Sequence, residues 1–485
     1  MVREKITGFS KDALLYGMGN ALGRLVGLIM LPILSRVFTP DDYGVIDLLN
    51  VSYAFLLLVM SWEVPSGLQR FYFREEGEAR RTMVTSCLTY LTIGTSLAAL
   101  LLVAGAGEVL SQFDARPPGL HMGLVVLALC LPVETIWQYA VLLLRLRRRA
   151  VAFSTANVLR VILTPGLTYV FVVEMSRGIE GVFLAKLVSL CCLVIALLLV
   201  NRREFSRRVS FRSFRRVLGF AISGHPGHII RATMDVLPRY MLASAAPLTA
   251  VGLFGIAFRI STVVKVAVNS FNLAWNPFAY QNEGAADERR LYELVFKAFF
   301  GAMLLFGTTL SVFAQEALMF LAPLEYRSAY LLVPGIALYH GLQGVASILS
   351  TILYTRNEVV WTTHLNVVRI AVFLGLGVWL IPEYQAQGAV LALAGSGVAY
   401  VAAYLVKARS VFAFHVPWFG MAVVLTGCGS MIAVFQSVEL DLLIGIALKL
   451  GGLALMTLLA ARSMLDQSER AAVASLWSRF RANSR

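Results

Sequence analysis

The sequence predicts an all-α polytopic membrane protein with about fourteen spanning helices. Hydrophobic residues make up 58% of the 485 residues and charged residues only 14%, and the mean hydropathy is +0.74. Soluble domains carry about 25% charged residues, so a chain of this composition belongs in a lipid bilayer. In addition, the basic residues gather in alternate loops between the apolar runs, which is the orientation signal of membrane proteins.

The individual spans follow from the length that a helix needs to cross a bilayer, which is about 20 mostly apolar residues. The resulting fourteen spans are residues 12–37, 43–66, 82–104, 119–144, 150–173, 179–200, 217–241, 247–275, 291–321, 329–354, 359–381, 386–406, 416–436 and 441–462.

Positive charge is concentrated in the loops that follow even-numbered spans and at both ends of the chain. The largest cluster is the stretch 201–216, which is rich in arginine, whereas the other loops carry little beyond Arg116, Arg177 and Arg327. Because positively charged loops stay in the cytoplasm, both termini are predicted to be cytoplasmic. The net charge of +14 is therefore explained by the basic cytoplasmic loops that orient the chain in the membrane, and no nucleic-acid partner is expected.

An internal repeat relates the two halves of the chain. Polar, glycine and proline positions match at a shift of about 206 to 209 residues. The matched pairs are Arg24 and Arg231, Pro32 and Pro238, Pro40 and Pro247, Gly44 and Gly252, Asn157 and Asn366, Arg160 and Arg369, and Gly181 and Gly388. Six spans per copy is an even number, so the copies share one orientation and are related by an axis along the membrane normal.

The repeat predicts the domain organisation. The predicted segments are an N-lobe (1–200), a basic linker (201–216), a C-lobe (217–410), two additional spans (411–463) and a basic tail (464–485). In the linker and the tail, apolar residues recur at helical spacing between arginines. Both segments are predicted to lie on anionic lipids of the cytoplasmic leaflet, and the alternative is a solvated basic loop.

The seventh span carries three charges on one helix face. Arg231, Asp235 and Arg239 are spaced at i, i+4 and i+8. Each costs roughly 2.5 to 3.5 kcal/mol at mid-bilayer, so this face should contact protein or a wet cavity. Two interpretations stay open: the charges line a substrate path, or an Asp–Arg pair only holds two helices together.

Other charges within the spans extend this candidate site. The candidate substrate-binding residues are Arg24, Arg231, Arg239, Arg259, Lys265 and Asn20, and the candidate coupling or charge-pair residues are Asp235, Glu63 and Glu134. A wet cavity with this excess of cations attracts phosphate, which arginine binds through paired donors. Glu63 and Glu134 are either proton-titrating groups or ion-pair partners. Arg160 and Arg369 are shared by both copies of the repeat, which favours a structural role.

Two further groups of residues suggest other chemistry. Asp41 and Asp42 form an acidic pair in an outward loop, as in membrane glycosyltransferases, but Thr39, Pro40 and two acids in the first turn also make a helix start. His225 and His228 are a close histidine pair without a further ligand nearby, so no metal site is expected.

Four stretches of the chain resemble a known family. They are LSRVFTPDDYGVIDLL, MDVLPRYMLASAAPLTAVGLFGIAFRI, AWNPFAY and LNVVRIAVFLGLGVWLIPEYQAQGAVLAL. These stretches are similar to the polysaccharide transporter family, the Wzx-type lipid-linked oligosaccharide flippases of the MATE-like superfamily. The resemblance implies two six-helix lobes, a central cationic cavity and alternating access. It also implies a bacterial inner-membrane protein that carries an undecaprenyl-pyrophosphate-linked sugar repeat to the periplasmic leaflet.

The functional hypothesis is a transporter and not an enzyme. Arginines bind the pyrophosphate, no cofactor is needed, and a proton or sodium gradient or the membrane potential drives the cycle. The pathway would be O-antigen, capsule or exopolysaccharide synthesis, with the polymerase and chain-length proteins as possible partners. The alternatives are a multidrug cation antiporter of the same fold and a membrane glycosyltransferase or polymerase.

Overall fold

The computed structural model describes residues 27–111, 119–438 and 442–464, together with residues 466 and 469. Asn20 and Arg24, most of the first predicted span and nearly all of the basic tail lie outside the described residues.

The described residues form helices and short connections. The first helices are α1 (Gly27–Val37), α2 (Pro40–Ser61), α3 (Val64–Tyr72), α4 (Gly77–Ala104), α5 (Ala106–Ser111), α6 (Leu120–Leu146), α7 (Ala150–Thr168), α8 (Gly178–Asn201) and α9 (Phe211–Ala221). They are followed by α10 (His225–Ala245), α11 (Leu248–Gln281), α12 (Glu288–Val312), α13 (Ala314–Leu321), α14 (Val333–Thr355), α15 (Val359–Val411), α16 (Trp418–Ser437) and α17 (Leu442–Met464). A π-helical turn (Tyr169–Glu174) extends α7, and 3₁₀ segments cover Arg202–Glu204 and Leu324–Leu332.

The predicted all-α membrane architecture is confirmed. Eleven helices of the described part are long and apolar enough to span a membrane. The number fourteen stays a prediction, for three physical reasons. The first span is mostly outside the described residues, α10 is too polar to meet the same criterion, and α15 combines two predicted spans. These two halves of α15 meet at Gln385, whose φ of 49° and ψ of −123° are not helical.

Backbone contacts divide the chain into two compact units. The first unit contains the residues up to Ala243 and the stretch Pro247–Gly252, and the second contains Ser244–Ala246 and everything from Leu253 onward. The predicted linker 201–216 and most of α10 therefore belong to the first unit. The lobe boundaries drawn from the repeat stay a prediction.

The linker forms the amphipathic helix α9, which packs on protein. Ser210 caps it by accepting a hydrogen bond from the Ser213 amide at 3.3 Å. Val217 is fully buried in a core that α9 shares with α3, α4 and α6. The apolar face is thus covered, while Arg212 and Arg215 are exposed on the opposite side. Any contact of α9 with anionic lipid is left to its arginines and its exposed aromatic Phe211.

Two glycines that the repeat relates meet in the first unit, where α2 crosses the start of α11. A Cβ atom on Gly44 would lie 2.5 Å from the Leu248 carbonyl oxygen, and one on Gly252 would overlap the Pro40 carbonyl oxygen. Only a residue without a side chain allows this backbone approach. The crossing fixes the register between α2 and the first turn of α11.

The start of α2 is a complete helix cap. The Thr39 side chain accepts from the Asp42 amide, and the Asp42 carboxylate accepts from the Thr39 amide, which is a capping box. The Thr249 hydroxyl donates to Asp41 Oδ1 at 2.6 Å. Asp42 therefore caps α2 and Asp41 connects it to α11, as the helix-start interpretation predicts.

The core of the second unit is aromatic. Trp275 on α11 is 5.1 Å from Tyr292 on α12, ring centre to ring centre, in an edge-to-face arrangement. Phe271 is 4.2 Å from Phe299 by the same measure. Such pairs add about 0.5 to 1.5 kcal/mol each beyond the area they bury. They hold α11 against α12, and so position the cations that α11 carries.

Candidate functional site

Helix α10 contains a buried ion pair with α2. Arg239 Nε lies 2.6 Å from Asp47 Oδ2, and the two side chains are 3% and 4% exposed. Arg239 Nη1 also donates to the Asp235 carbonyl oxygen at 2.6 Å. Arg239 is thus neutralised by an acid 192 residues away in sequence. Sequence analysis expected Asp235 as the acid of such a pair and did not single out Asp47.

The other two charges of α10 are progressively more accessible. Asp235 is half-buried and Arg231 is exposed, whereas Arg239 is buried. The face predicted from the i, i+4, i+8 spacing therefore runs from the interior of the first unit to its surface. Arg231 is the member of this set that is open to a ligand, and its role as a substrate contact stays a prediction.

Glu63 lies after the end of the spanning helix α2, at the start of α3. Both Trp62 and Glu63 have left-handed backbone conformations, with φ of 48° and 54°. This turn places Glu63 Oε2 3.1 Å from His228 Nδ1, and the Ser66 hydroxyl donates to Oε1. The hydrogen bond from His228, followed by that from Ser66, lowers the pKa of Glu63 from 4.5 to about 2 despite partial burial. Glu63 therefore stays charged near neutral pH, which fits the ion-pair interpretation better than a proton-titrating role.

Glu134 takes part in a second buried cluster of the first unit. Its two carboxylate oxygens accept from Arg160 Nη1 and Nη2, both at 2.8 Å. Such a bidentate pair is the strongest form of this contact. The Arg160 guanidinium also lies 5.3 Å above the Trp137 ring. The contacts of Glu134 are those of an ion-pair partner, and a coupling role stays a prediction.

A lysine that sequence analysis missed joins this cluster. Lys186 Nζ on α8 lies 3.5 Å above the Tyr53 ring, and the Tyr53 hydroxyl donates to the Cys130 carbonyl oxygen at 3.2 Å. The cluster thus has two cations, Arg160 and Lys186, for one acid, Glu134. A lysine in the middle of the apolar run GVFLAKLVSL was the signal that would have revealed it.

The second unit carries its candidate cations on α11. Arg259 and Lys265 are both half-buried, and the sequence of α11 contains no acidic residue. This helix therefore adds two positive charges to a membrane-spanning element. Whether Arg259 and Lys265 contact a substrate stays a prediction, because their position on α11 does not test it.

A third cation of the second unit lies deep in the core. Arg369 on α15 is 2% exposed, and its guanidinium lies 4.6 Å above the Tyr400 ring. Its Nε and Nη2 atoms are buried without a hydrogen-bond partner among the described residues. This is unlike Arg160, its counterpart in the repeat, which is fully paired.

The second unit also contains an apolar cavity of about 240 Å³. It lies between α12, α14 and α16, and its wall includes Gly307, Ala337, Gly341, Cys428 and Gly429. No charged side chain lines it. This cavity suits hydrocarbon and not an anionic group, so the charged residues above remain the candidate site.

The chemistry of these residues is anion binding. The described cluster around Glu134 has two cations, Arg160 and Lys186, for one acid, and Arg231 is exposed. Within the described ranges, no group of three or more histidine, cysteine or acidic side chains has the arrangement of a metal site. The described cations can bind and orient phosphate oxygens by paired hydrogen bonds and by charge.

Comparison with known proteins places the chain in a family. A family model described as "Polysaccharide biosynthesis protein" matches residues 33–322, which is more than half of the chain. A curated relative is the "Lsg locus putative protein 1" of Haemophilus influenzae, 21% identical over 280 residues. This alignment spans 56% of the chain and 66% of the relative, slightly less than two thirds of the relative's length.

Solved structures show the same fold. The lipid II flippase MurJ in an inward closed conformation matches with a TM-score of 0.70 at 12% identity, covering 93% of the chain and 100% of that protein. An inward-facing multidrug resistance MATE family transporter of the MOP superfamily matches with a TM-score of 0.67 at 14% identity, covering 80% and 95%. At such identities the likeness concerns the fold alone. Together with the eleven apolar helices, these comparisons identify the chain as a multi-pass membrane protein with a MATE-like fold that belongs to the family described as "Polysaccharide biosynthesis protein".

Proposed function

We propose that the chain is a flippase for lipid-linked oligosaccharides. It moves an undecaprenyl-pyrophosphate-linked repeat unit across the bacterial inner membrane by alternating access, for the synthesis of O-antigen, capsule or exopolysaccharide. Both termini are on the cytoplasmic side. The family of the chain and the fold shared with a lipid II flippase support this class of substrate.

The observation that carries the proposal is the sign of the charge inside the membrane-spanning helices. Lys186 is an additional cation beside the Glu134–Arg160 pair, and the Arg231 side chain is exposed on α10. Each such charge costs roughly 2.5 to 3.5 kcal/mol at the centre of a membrane. An excess of one sign is therefore expensive unless a ligand of the opposite sign uses it, and a pyrophosphate is such a ligand.

Each candidate residue then has a specific role. Arg231, Arg259 and Lys265 contact the anionic headgroup, with Lys186 supplying positive potential inside the first unit. Arg239 serves a different purpose, since Asp47 already neutralises it and the pair holds α10 against α2. Asn20 and Arg24 remain proposed substrate contacts on the evidence of the sequence.

The positive interior also weighs against the alternatives. A multidrug antiporter for cationic compounds needs acidic groups at its binding site, whereas these helices carry a cationic excess. A glycosyltransferase would need free carboxylates, but Asp41 and Asp42 cap α2 and bind Thr249. We therefore propose transport without catalysis or a cofactor, driven by a proton or sodium gradient or by the membrane potential.

The test is a flipping assay in proteoliposomes that contain the purified chain. The probe is undecaprenyl-pyrophosphate-linked oligosaccharide isolated from the cells that make the protein. The measured quantity is the fraction of glycan accessible to an impermeant glycosidase over time. Rapid equilibration of the glycan between leaflets, absent from protein-free vesicles, is the expected result.

The control arm of the assay separates the candidate functions. The same vesicles are loaded with a cationic dye, and dye efflux is followed under an imposed proton or sodium gradient. Gradient-driven efflux of the dye without flipping of the glycan lipid would favour the antiporter. Sugar transfer by the detergent-solubilised chain would favour the enzyme.

A further inference from the structure

The two units differ in the partner of a buried arginine that the repeat places in both. In the first unit, Arg160 on α7 forms its bidentate pair with Glu134 on α6. At a shift of 209 residues, Arg160 corresponds to Arg369 and Glu134 to Gln343. The second unit thus keeps the arginine but has an amide in place of the carboxylate. The repeat has retained the cation and lost its counter-charge.

The two described helices α14 and α15 supply no acid close to Arg369 in sequence position. Helix α14 has no acidic residue, and the one on α15, Glu383, is exposed near the kink at Gln385. Arg369 Nε and Nη2 are buried without a hydrogen-bond partner within the described residues. The contact with the Tyr400 ring is a cation–π interaction, which does not satisfy the Nε and Nη2 donors.

The kink of α15 places polar groups around this arginine. The two halves of α15 meet at Gln385, and Arg369 on the first half contacts Tyr400 on the second. The Tyr400 hydroxyl donates to Asn366 Oδ1 at 3.2 Å, and Asn366 precedes Arg369 by one turn. These groups form a polar layer inside an apolar helix pair.

Helix α14, which carries Gln343, packs against the second half of α15. A Cβ atom on Gly397, one turn before Tyr400, would lie 3.4 Å from the Tyr339 ring. Gln343 Nε2 donates to the Tyr339 hydroxyl at 2.8 Å. Gln343 is thus bonded to a residue of α14 that packs against α15 one turn from Tyr400, and it occupies the position that Glu134 has in the first copy of the repeat.

A buried charge without a counter-charge is costly, and removing its partner normally destabilises a protein strongly. We infer that Arg369, with Gln343 on the neighbouring helix α14, is a binding site for the oxygens of a phosphate-like anion inside the second unit. The bound anion takes the place that the Glu134 carboxylate has in the first unit. Phosphate oxygens that accept hydrogen bonds are present both in a free inorganic anion and in the pyrophosphate headgroup of a lipid, so either could bind here. The inference does not depend on the proposed transport function.

Two variants test the site from opposite directions. Gln343→Glu supplies the missing carboxylate, and Arg369→Gln removes the cation. The full-length chain is purified in detergent, and its thermal unfolding is followed by tryptophan fluorescence at fixed ionic strength. Inorganic pyrophosphate is the probe in one arm and farnesyl pyrophosphate in the other. Because two different substitutions are used, failure of one variant to fold leaves the test intact.

For the wild type we expect a saturable rise of the unfolding midpoint with pyrophosphate. Both variants should lose this rise, whereas the surface control Arg212→Gln on α9 should keep it. Without any anion, Gln343→Glu should unfold at a higher temperature than the wild type. The matched substitution in the first unit, Glu134→Gln, should lower the midpoint.

The two arms identify the source of the anion. A rise with inorganic pyrophosphate indicates a free anion, and a rise with farnesyl pyrophosphate alone indicates a lipid headgroup. The inference is overturned if Gln343→Glu and Arg369→Gln respond to both probes as the wild type does. It is equally overturned if the wild type responds to neither probe, since water alone would then satisfy Arg369.

Discussion

At the residue scale, the placement of each charge depends on its partner across the helix interface. Arg239 and Arg231 are two turns apart on α10, yet one is neutralised by Asp47 and the other is exposed. The same holds for Arg160 and Arg369, which occupy equivalent positions but differ in having a counter-charge. Burial and pairing, not residue type, therefore separate the structural arginines from those available to a ligand.

The first prediction concerns the Asp47–Arg239 pair. Replacing Asp47 by Asn leaves a buried guanidinium without its charge, which should cost about 3 to 5 kcal/mol of folding free energy. The unfolding midpoint of the purified variant should fall sharply, and expression should decrease. The double variant Asp47→Leu/Arg239→Met removes both charges and should recover much of the loss. A single variant as stable as the wild type would show that the pair is not structural.

The second prediction concerns the protonation of Glu63. Its pKa is about 2 in the folded chain, compared with an ordinary value of 4.5. A lowered folded pKa stabilises the fold above pH 4.5, and this contribution is lost as the pH falls from 4.5 towards 2. The stability difference between the wild type and Glu63→Gln should therefore shrink over this acidic range. A stability difference that stays constant between pH 4.5 and pH 2 would show that the pKa of Glu63 is not lowered in the folded chain.

The sequence predicted the charged positions better than their pairing. The spacing of Arg231, Asp235 and Arg239 gave one helix face, and the alternative of a buried Asp–Arg pair anticipated the environment of Arg239. The sequence could not identify Asp47 as the acid. Helical periodicity shows on which face of a helix a residue lies, but not which residue of another helix that face contacts. Lys186 was missed although its position in an apolar run was visible.

At the element scale, close backbone approach and capping position the helices that carry the site. The crossing of α2 with α11 depends on Gly44 and Gly252, which the repeat already paired in the sequence. The cap at Thr39 fixes where α2 begins. Helix α9 was predicted to be amphipathic, and it is, but its apolar face packs on α3 and α4. The sequence cannot distinguish these two ways of covering an apolar face, because lipid and protein cover it equally well.

The third prediction concerns the helix crossing. Gly252→Ala places a methyl group against the Pro40 carbonyl oxygen, so the backbones must separate, and we expect a loss of roughly 1 to 3 kcal/mol. Gly94→Ala on α4 is the matched control, since a methyl group there meets open space. The control should be neutral or stabilised by about 0.5 to 1 kcal/mol. Thermal unfolding of both variants in detergent measures the difference, and equal midpoints would refute the crossing.

At the scale of the whole molecule, the span pattern and the positive loops were sufficient to predict the fold class. The predicted spans after the first overlap described helices, but their bounds differ: the span 217–241 covers the break between α9 and α10, and two spans fall within α15. Helix α15 contains two predicted spans, which are separated only by the non-helical backbone of Gln385. Length and apolarity alone do not show whether such a helix crosses a membrane once or twice. The repeat predicted equivalent positions, and the difference between Glu134 and Gln343 became meaningful only when Arg369 was seen to be buried without an acid.

The central claim is that cations of the helices, Lys186 and Arg231 among them, attract and bind the anionic headgroup of a lipid-linked glycan. The most direct measurement is the flipping rate of the pyrophosphate-linked oligosaccharide by the double variant Lys186→Gln/Arg231→Gln in proteoliposomes. Unfolding midpoints equal to those of the wild type would establish that the variant is folded, and Lys186→Arg serves as the variant that conserves charge. We expect flipping to fall at least tenfold in the double variant, which corresponds to about 1.4 kcal/mol or more of lost interaction, and to persist in Lys186→Arg. A folded double variant that flips the glycan lipid at the wild-type rate would contradict the account.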